Sequence, residues 1–162
     1  MANRCFIIDT NIFIAANGMT DHLTEQEVNK CKLFVASLFD NSIVSLDHKG
    51  EIFQEYFNYV SRSGQPGISD AFVKYLWDRQ NNKAHCEKVD IEKNKKGIYK
   101  QLNKKEDLLK FDLNDQKFIA VCLGSKNQPI ICNASDSDWA NDKILLTKYK
   151  IKVLEILQEK PA

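Results

Sequence analysis

The stretch Cys5-Phe6-Ile7-Ile8-Asp9-Thr10-Asn11 decides how the rest of the chain is interpreted. In it, four apolar residues are followed at once by a charged aspartate. An apolar run without polar alternation is typical of a strand that is buried on both faces of a parallel sheet. A charge placed directly after such a strand needs a partner, because an unpaired buried charge is costly. We therefore expect Asp9 to have a chemical role at the carboxyl edge of a sheet.

Further short apolar runs predict the remaining strands. They span residues 42–46, 89–91, 129–132 and 151–156. Between them, Thr24 and Glu27 form the capping-box pattern that begins a helix. Apolar residues at helical spacing predict the other helices. These are expected from residue 47 to about 64, over 68–79, in one or two short pieces within 94–109, from 112 or 114 to 124, and over 137–148.

Strands that alternate with helices are typical of a largely parallel sheet covered on both faces. We therefore predict an α/β fold, a three-layer α/β/α sandwich whose central sheet has about four or five mainly parallel strands. A chain of 162 residues fits one ordinary domain with a substantial core. Residues 1–162 are thus expected to form a single domain, in which the helical, lysine-rich segment 68–110 is the variable part.

Composition predicts a protein of the reducing cytosol. The five cysteines are scattered and show no Cys-x-x-Cys spacing, so buried free thiols explain them best. The apolar run at residues 6–8 is too short for a signal-peptide core, and no run approaches the length of a membrane span. We expect a cytoplasmic protein without membrane contact.

Charge is unevenly distributed along the chain. The formal net charge is +1, yet the segment from Lys83 to Lys110 carries nine lysines and five acidic residues. An excess of positive charge suits a polyanion that is held beside an acidic site. A solvated lysine-rich surface would give the same pattern.

Acidic residues recur where the predicted strands give way to loops or helices. They are Asp9, Glu51, Glu55, Asp112, Asp115, Asp136 and Asp138. The carboxyl ends of parallel strands share one edge, so these side chains can meet there although they are far apart in sequence. Carboxylates gathered in one crevice repel each other and stay ionised only if a cation lies between them. The sequence therefore predicts a divalent-metal site.

Four pieces of the chain, taken in order, resemble the motifs of PIN-domain nucleases. They are residues 7–11, 55–56, 112–115 and 131–139, which read Ile-Ile-Asp-Thr-Asn, Glu-Tyr, Asp-Leu-Asn-Asp and Ile-Cys-Asn-Ala-Ser-Asp-Ser-Asp-Trp. Their order and context match over nearly the full length, whereas Asp-x-Asn alone is common by chance. The segment 68–109 matches no part of the motif, and we expect substrate preference to lie there.

The resemblance implies four principal acids, which fall on Asp9, Glu55, Asp115 and Asp136. Asp9, Asp115 and Asp136 are the implied metal ligands. The supporting residues are Asn11, which would hydrogen bond to Asp9, together with Glu51 and Ser135, and with Asp112 and Asp138 as further ligands of the metal or of a water. Glu51 is the alternative to Glu55 as the second acid, Asp112 is equally well explained as a helix cap, and Asp47 is expected to be an N-cap. Trp139 is expected to pack beneath the loop after the fourth strand.

Two positions depart from the family pattern. Gln116 stands where a small residue is expected after the third acid, and Ala134-Ser135 replaces the usual Thr-Gly before the fourth. Ser135 can still supply a hydroxyl. The loop before the fourth acid is therefore the part of the motif whose geometry the resemblance defines least.

The resemblance also implies an activity and partners. Hard carboxylate oxygens suit Mg²⁺ or Mn²⁺, and the implied reaction is the hydrolysis of phosphodiester bonds within RNA. Small stand-alone members act as toxins or defence nucleases, so an antitoxin or effector partner and a homodimer are expected. The nucleic acid is expected to contact Lys95, Lys96, Lys104 and Lys105.

Two other functions remain open at this point. A structure-specific DNA nuclease of the related flap type would use the same acids, although no helix-hairpin motif for gripping DNA is evident. A catalytically inactive RNA-binding or scaffold module would normally have lost one or more of the principal acids. All four positions are acidic here.

Overall fold

The computed structural model describes residues 4–158 of the chain. Its centre is a sheet of five parallel strands in the order β3-β2-β1-β4-β5. The strands are β1 (Arg4–Ile8), β2 (Ser42–Asp47), β3 (Cys86–Val89), β4 (Ile130–Asn133) and β5 (Val153–Glu155). The predicted fold class, a three-layer α/β/α fold with a parallel sheet, is confirmed.

Helices connect these strands. They are α1 (Thr10–Ala16), α2 (Glu25–Ser37), α3 (Glu51–Tyr56), α4 (Ile68–Asp78), α5 (Leu113–Gly124), α6 (Ser137–Asn141) and α7 (Lys143–Lys148), with 3-10 helices at Lys100–Leu102 and Glu106–Lys110. α1, α2 and α4 pack against one another, while α5 packs against β1, β2 and β4. No helix among residues 4–158 is long and apolar enough to cross a membrane.

The strand order reverses at the junction between β1 and β4. From β1 the chain proceeds outward through β2 and β3, then returns to place β4 on the other side of β1. The register pairs Phe6 with Ile130 and Ile8 with Cys132, so both strands end at the same edge. In open α/β sheets, ligands bind in the crevice that such a reversal leaves beyond the carboxyl ends of the strands. Asp9 and Asp136 follow these two strands.

Most predicted elements are present. The capping box at Thr24 is formed: its hydroxyl accepts a bond from the Glu27 N–H at 3.1 Å, and the Glu27 carboxylate accepts one from the Thr24 N–H at 3.0 Å. The predicted helices over 68–79 and up to Gly124 are also found, nearly as expected. The strand expected at 89–91 lies slightly earlier, at Cys86–Val89. Ile91 is buried although it lies outside the paired strand, so its apolar side chain was mistaken for part of the strand.

Four further expectations about the helices and strands were inexact, and one helix was not expected. α3 ends at Tyr56 because the next turns tighten, with Asn58 and Tyr59 bonding to carbonyls three residues back. The expected helix over 137–148 is interrupted at Asp142, whose carboxylate pairs with Lys110. Segment 94–109 holds only 3-10 helices, and β5 is shorter than 151–156. α1 was not predicted, because its seven residues are largely buried and so show no alternation of apolar and polar faces at helical spacing.

Asp70 fixes the loop that leads into α4. It is 3% exposed. One of its oxygens accepts a hydrogen bond from the Ser61 N–H at 2.6 Å, and the other accepts bonds from the Gly67 N–H at 2.8 Å and the Asn17 amide at 3.0 Å. Asn17 is the residue that follows α1. This carboxylate therefore joins the end of α1 to the start of α4.

Replacing Asp70 with alanine should lower the free energy of unfolding by about 3 kcal/mol, because three donors then lose their acceptor inside the protein. Urea unfolding monitored by circular dichroism measures this change. The matched control is Asp78→Ala at the end of the same helix, where the carboxylate is half exposed and forms a surface pair with Lys74. That control should stay within about 0.5 kcal/mol of wild type. Equal effects of the two substitutions would contradict the structural role of Asp70.

Candidate metal centre

Asp9 is held at the N-terminus of α1 by two hydrogen bonds. Its Oδ1 accepts one from the backbone N–H of Asn11 at 3.0 Å, and its Oδ2 accepts one from the indole N–H of Trp139 at 2.8 Å. The aspartate is 7% exposed. Trp139 is almost completely buried, as expected of a packing residue, and its ring lies 5.5 Å from that of Phe111. Trp139 thus both fills the core and orients Asp9, a second role that its position in the sequence did not reveal.

Asp115 lies in the first turn of α5. Asp112 is the N-cap of this helix and accepts a hydrogen bond from the Asp115 N–H at 2.9 Å. A helix cap was one of the two roles predicted for it. Asp115 is only 6% exposed. Its Oδ2 is buried and has no hydrogen-bond partner among residues 4–158. A buried acceptor without a donor is costly, and such atoms in native proteins often mark a ligand or ion site.

Asp136 follows β4 and caps α6, where its Oδ1 accepts a hydrogen bond from the Asp138 N–H at 2.9 Å. Its backbone is fixed by Asn133, the last residue of the strand. The Asn133 Oδ1 accepts a bond from the Asp136 N–H at 3.1 Å, and its amide donates to the Asp136 carbonyl at 2.7 Å. Asp136 is half-buried and faces the same crevice as Asp9.

The three aspartates meet beyond the carboxyl ends of β1 and β4. One carboxylate oxygen from each of Asp9, Asp115 and Asp136 lies within 4.8 Å of the others. A second set, formed by Asp112, Asp115 and Asp138, meets the same criterion and is more exposed. These two sets share Asp115. Oxygen ligands at such spacing could bind a metal ion.

Crowding and burial disfavour ionisation of these carboxyls. Burial raises the pKa of Asp9 to about 6, with additional repulsion from Asp136 and Glu55. Burial raises the pKa of Asp115 to about 8, and Asp112 and Asp136 are the leading like charges that add to it. The pKa of Asp136 is raised mainly by burial as well. A cation that neutralised the cluster would remove this repulsion.

Glu55 lies beside the aspartate cluster and is ion-paired. Its Oε1 accepts a hydrogen bond from the Lys117 ammonium at 2.6 Å, and its Oε2 accepts one from the hydroxyl of Thr10. Among the described residues, neither set of mutually close carboxylates includes Glu55.

Glu51, the alternative second acid, is turned to another partner, since its carboxylate accepts a hydrogen bond from the Tyr99 hydroxyl at 3.3 Å. Neither mutually close set within residues 4–158 contains it. Asp47 supplies the capping oxygens of α3, which accept bonds from the N–H groups of Glu51 and Ile52 at 2.7 and 2.8 Å. The N-cap position itself is Gly50, three residues later.

Asn11 supports Asp9 through its backbone N–H, whereas its side chain bonds elsewhere. The side-chain amide donates to Asn133 Oδ1 at 2.8 Å, and the side-chain carbonyl oxygen accepts from the Ala134 N–H at 2.9 Å. These bonds join the loop after β1 to the loop after β4. Ser135 is exposed in the second loop.

Several residues of the site carry roles that sequence reasoning missed. They are Thr10, Lys117, Asn133 and Glu155. Asn133 is 1% exposed and also donates to the Glu155 carboxylate at 2.7 Å. Burial raises the pKa of Glu155. An asparagine at the end of a buried apolar strand was the one available signal, because its amide must find partners there.

Three of the four lysines that were expected to contact nucleic acid border one depression. Lys95, Lys96 and Lys104 line this space of about 580 Å³ together with Leu102 and Leu109. Lys105 is half-buried nearby in sequence. The depression lies on the segment between β3 and α5. This segment runs through the second 3-10 helix directly into Asp112.

The metal-free protein should become less stable as the pH rises from about 4 to 8. Between the ordinary aspartate pKa near 4 and the raised pKa of Asp115 of about 8, the folded state keeps a proton that the unfolded chain releases. Raising the pH through this window therefore favours unfolding. Asp115→Asn removes the charge, and at pH 8.5 in EDTA it should raise the Tm by about 5 °C, a gain of ~1–2 kcal/mol.

This difference in Tm should shrink toward pH 5, where the folded wild-type protein already holds the proton. Asp21→Asn, at an exposed aspartate before α2, is the matched control and should leave the Tm unchanged at both pH values. An Asp115→Asn protein that is less stable than wild type at pH 8.5 would show that the carboxylate stabilises the fold instead.

Comparison with protein-family models, with curated proteins and with solved structures found no match to this chain. The resemblance to PIN-domain nucleases therefore rests on the motif residues themselves and remains a prediction. What the geometry supports directly is that acidic clusters beyond β1 and β4 could bind a metal ion.

Proposed function

We propose that this protein is a metal-dependent phosphodiester hydrolase that cleaves RNA internally. Two observations carry the proposal: three aspartates from separate elements converge within 4.8 Å, and one buried oxygen of Asp115 has no donor among residues 4–158. An acidic cluster alone would be weak support. The unpartnered oxygen adds a second, independent reason to place a cation there.

Asp9, Asp115 and Asp136 are the residues that would hold the metal. Carboxylate oxygens favour hard cations such as Mg²⁺ or Mn²⁺ over softer ions that select nitrogen and sulfur. A divalent ion bound there supplies charge neutralisation at the phosphate and a more acidic water. The five free cysteines contribute nothing to either set of carboxylates within residues 4–158.

The chain's own groups fix the geometry of the ligands before anything binds. The Trp139 N–H and the Asn11 N–H each donate to one oxygen of Asp9. These two bonds fix the orientation of the carboxylate, and therefore the directions in which its remaining lone pairs point. Such outer hydrogen bonds orient ligating carboxylates and raise metal affinity. Asp112 and Asp138 lie on the exposed side, where their carboxylates can accept hydrogen bonds from a water that enters from solvent.

A polyanionic substrate fits the charge distribution around this cluster. The lysine-rich segment between β3 and α5 leads into Asp112, so positive charge flanks the acids along the chain. RNA as the polymer, and a toxin or defence role with an antitoxin, effector or homodimer partner, are supported by the PIN resemblance alone. The proposed metal site does not depend on them.

The direct test is cleavage of labelled single-stranded RNA, folded RNA and DNA in Mn²⁺, Mg²⁺ or EDTA. Wild type should cut RNA only with a divalent ion. Asp9→Asn and Asp115→Asn should each lower the rate at least about a hundredfold, because each removes a charged ligand from the cluster. The control Asp40→Asn, at an exposed aspartate after α2, should leave the rate unchanged.

The outcomes separate the rival functions. Metal-dependent cutting confined to DNA would favour a structure-specific DNA nuclease. Binding of RNA without cleavage by any protein in the series, with a folded wild type and either ion present, would contradict the hydrolase proposal and favour an RNA-binding module.

Lys95→Ala/Lys96→Ala should raise the KM for RNA about three- to tenfold with little change in kcat, because each lost phosphate contact weakens binding similarly for all sequences. The dependence of KM on salt should become less steep. Lys30→Ala/Lys32→Ala, an exposed pair on α2, is the matched control. Equal effects of the two double substitutions would indicate a general charge effect and no contact at the depression.

A further inference from the structure

The Glu55–Lys117 ion pair is the least expected feature of the site. The lysine side chain is 7% exposed and the glutamate side chain 18% exposed, and their charged atoms lie 2.6 Å apart. The ammonium also donates to the Asn114 carbonyl at 2.9 Å. Buried lysines are rare, and removing the partner of one leaves an uncompensated charge. This pair is the one salt bridge within residues 4–158 in which both side chains are largely buried.

The pair sits between two elements of the candidate metal centre. Lys117 is two residues after Asp115 on α5, and Glu55 extends from α3 toward Thr10, the residue after Asp9. Glu55 is near enough to Asp9 to raise the pKa of that carboxyl. Even so, both of its oxygens are taken, one by Lys117 and one by Thr10. Unlike the bonds to Asp9, the contact with Lys117 is an ion pair, and neither set of mutually close carboxylates within residues 4–158 includes Glu55.

We infer that Lys117 is a positioning residue that holds Glu55 beside the metal-binding aspartates and out of direct ligation. This inference rests on the proposed metal site. It divides the four principal acids into three direct ligands and one outer carboxylate, which acts on the centre through water or through its charge. Lys117 also places a fixed positive charge next to the cluster, which limits how tightly a cation binds there.

Replacing Lys117 with methionine should therefore have two linked effects. The loss of positive charge strengthens cation binding about tenfold, a typical size for one charge near an ion site. The released Glu55 carboxylate then enters the coordination sphere and displaces about one water from the ion, since hard cations fill free positions with water. The second effect cannot arise from charge alone.

Terbium(III) alone is a suitable probe, because it binds hard oxygen ligands and its luminescence is measured without any substrate. The indole of Trp139 donates to Asp9 at 2.8 Å and can sensitise the bound ion. Titration gives the affinity. Luminescence lifetimes in H₂O and D₂O give the number of waters on the ion. The variants are Lys117→Met, Lys117→Arg, Glu55→Gln/Lys117→Met and, as a matched control, Lys148→Met, whose partner Asp107 lies outside both acidic sets.

Lys117→Met is expected to bind terbium more tightly than wild type and to hold about one water fewer. Lys117→Arg, Lys148→Met and the double variant should each keep the wild-type number of waters. The double variant removes the buried pair as a unit, a change that proteins often tolerate, so it remains informative even if the single substitution prevents folding. Thermal unfolding of each protein verifies the fold.

Two results would overturn the inference. If Lys117→Met folds and keeps the wild-type number of waters, Lys117 does not control Glu55. If the double variant gains a water over wild type, Glu55 is already a direct ligand in the wild-type protein. A different failure belongs to the proposed function. If the terbium luminescence of wild type and of Asp115→Asn rises equally with added terbium and never saturates, the metal site itself is contradicted, and the inference with it.

Discussion

Mutual repulsion among Asp9, Asp115 and Asp136 is the constraint around which this end of the molecule is organised. Three carboxyls within 4.8 Å of one another oppose folding whenever they are ionised. The protein brings them together nevertheless, because each belongs to an element whose place is fixed by the hydrophobic core. β1 and β4 are buried between helix layers, and α5 packs across three strands. The core thus supplies the free energy that holds like charges in contact.

Around the cluster, hydrogen bonds from uncharged groups hold in place the loops and carboxylates that charge repulsion would otherwise push apart. The side chains of Asn11 and Asn133 link the loops after β1 and β4, and Trp139 and the Asn11 N–H hold Asp9 from two directions. None of these donors carries a charge. The hydrogen bonds that fix these side chains therefore add no positive charge of their own to the site. The positive charge buried nearby, on Lys117, is directed at Glu55 and not at the aspartates.

The fold and the gathering of acidic residues at one sheet edge were within reach of sequence reasoning from local patterns, whereas the choice of Asp9, Asp115 and Asp136 among those acids came from the resemblance. Apolar runs such as residues 5–8 predict buried strands, and an acid at the end of such a run must be paired or bound to a cation. The environment of Glu55 was not predictable. Its partner Lys117 is 62 residues away, on a helix whose solvent and core faces the apolar pattern does not distinguish. α1 was missed for a similar reason, since a helix buried on nearly all sides has no period to detect.

The placement of α1 has a mechanical consequence. This helix has seven residues and is therefore about 10 Å long. Asp9 caps its first turn, while the side-chain amide of Asn17, just after its last turn, donates a hydrogen bond to Asp70. The loop between residues 61 and 67 is therefore joined to Asp9 through one short, largely buried helix. We expect a displacement of that loop to be passed along this helix, so the position of the Asp9 carboxylate depends on Asp70, a carboxylate that lies outside the cluster.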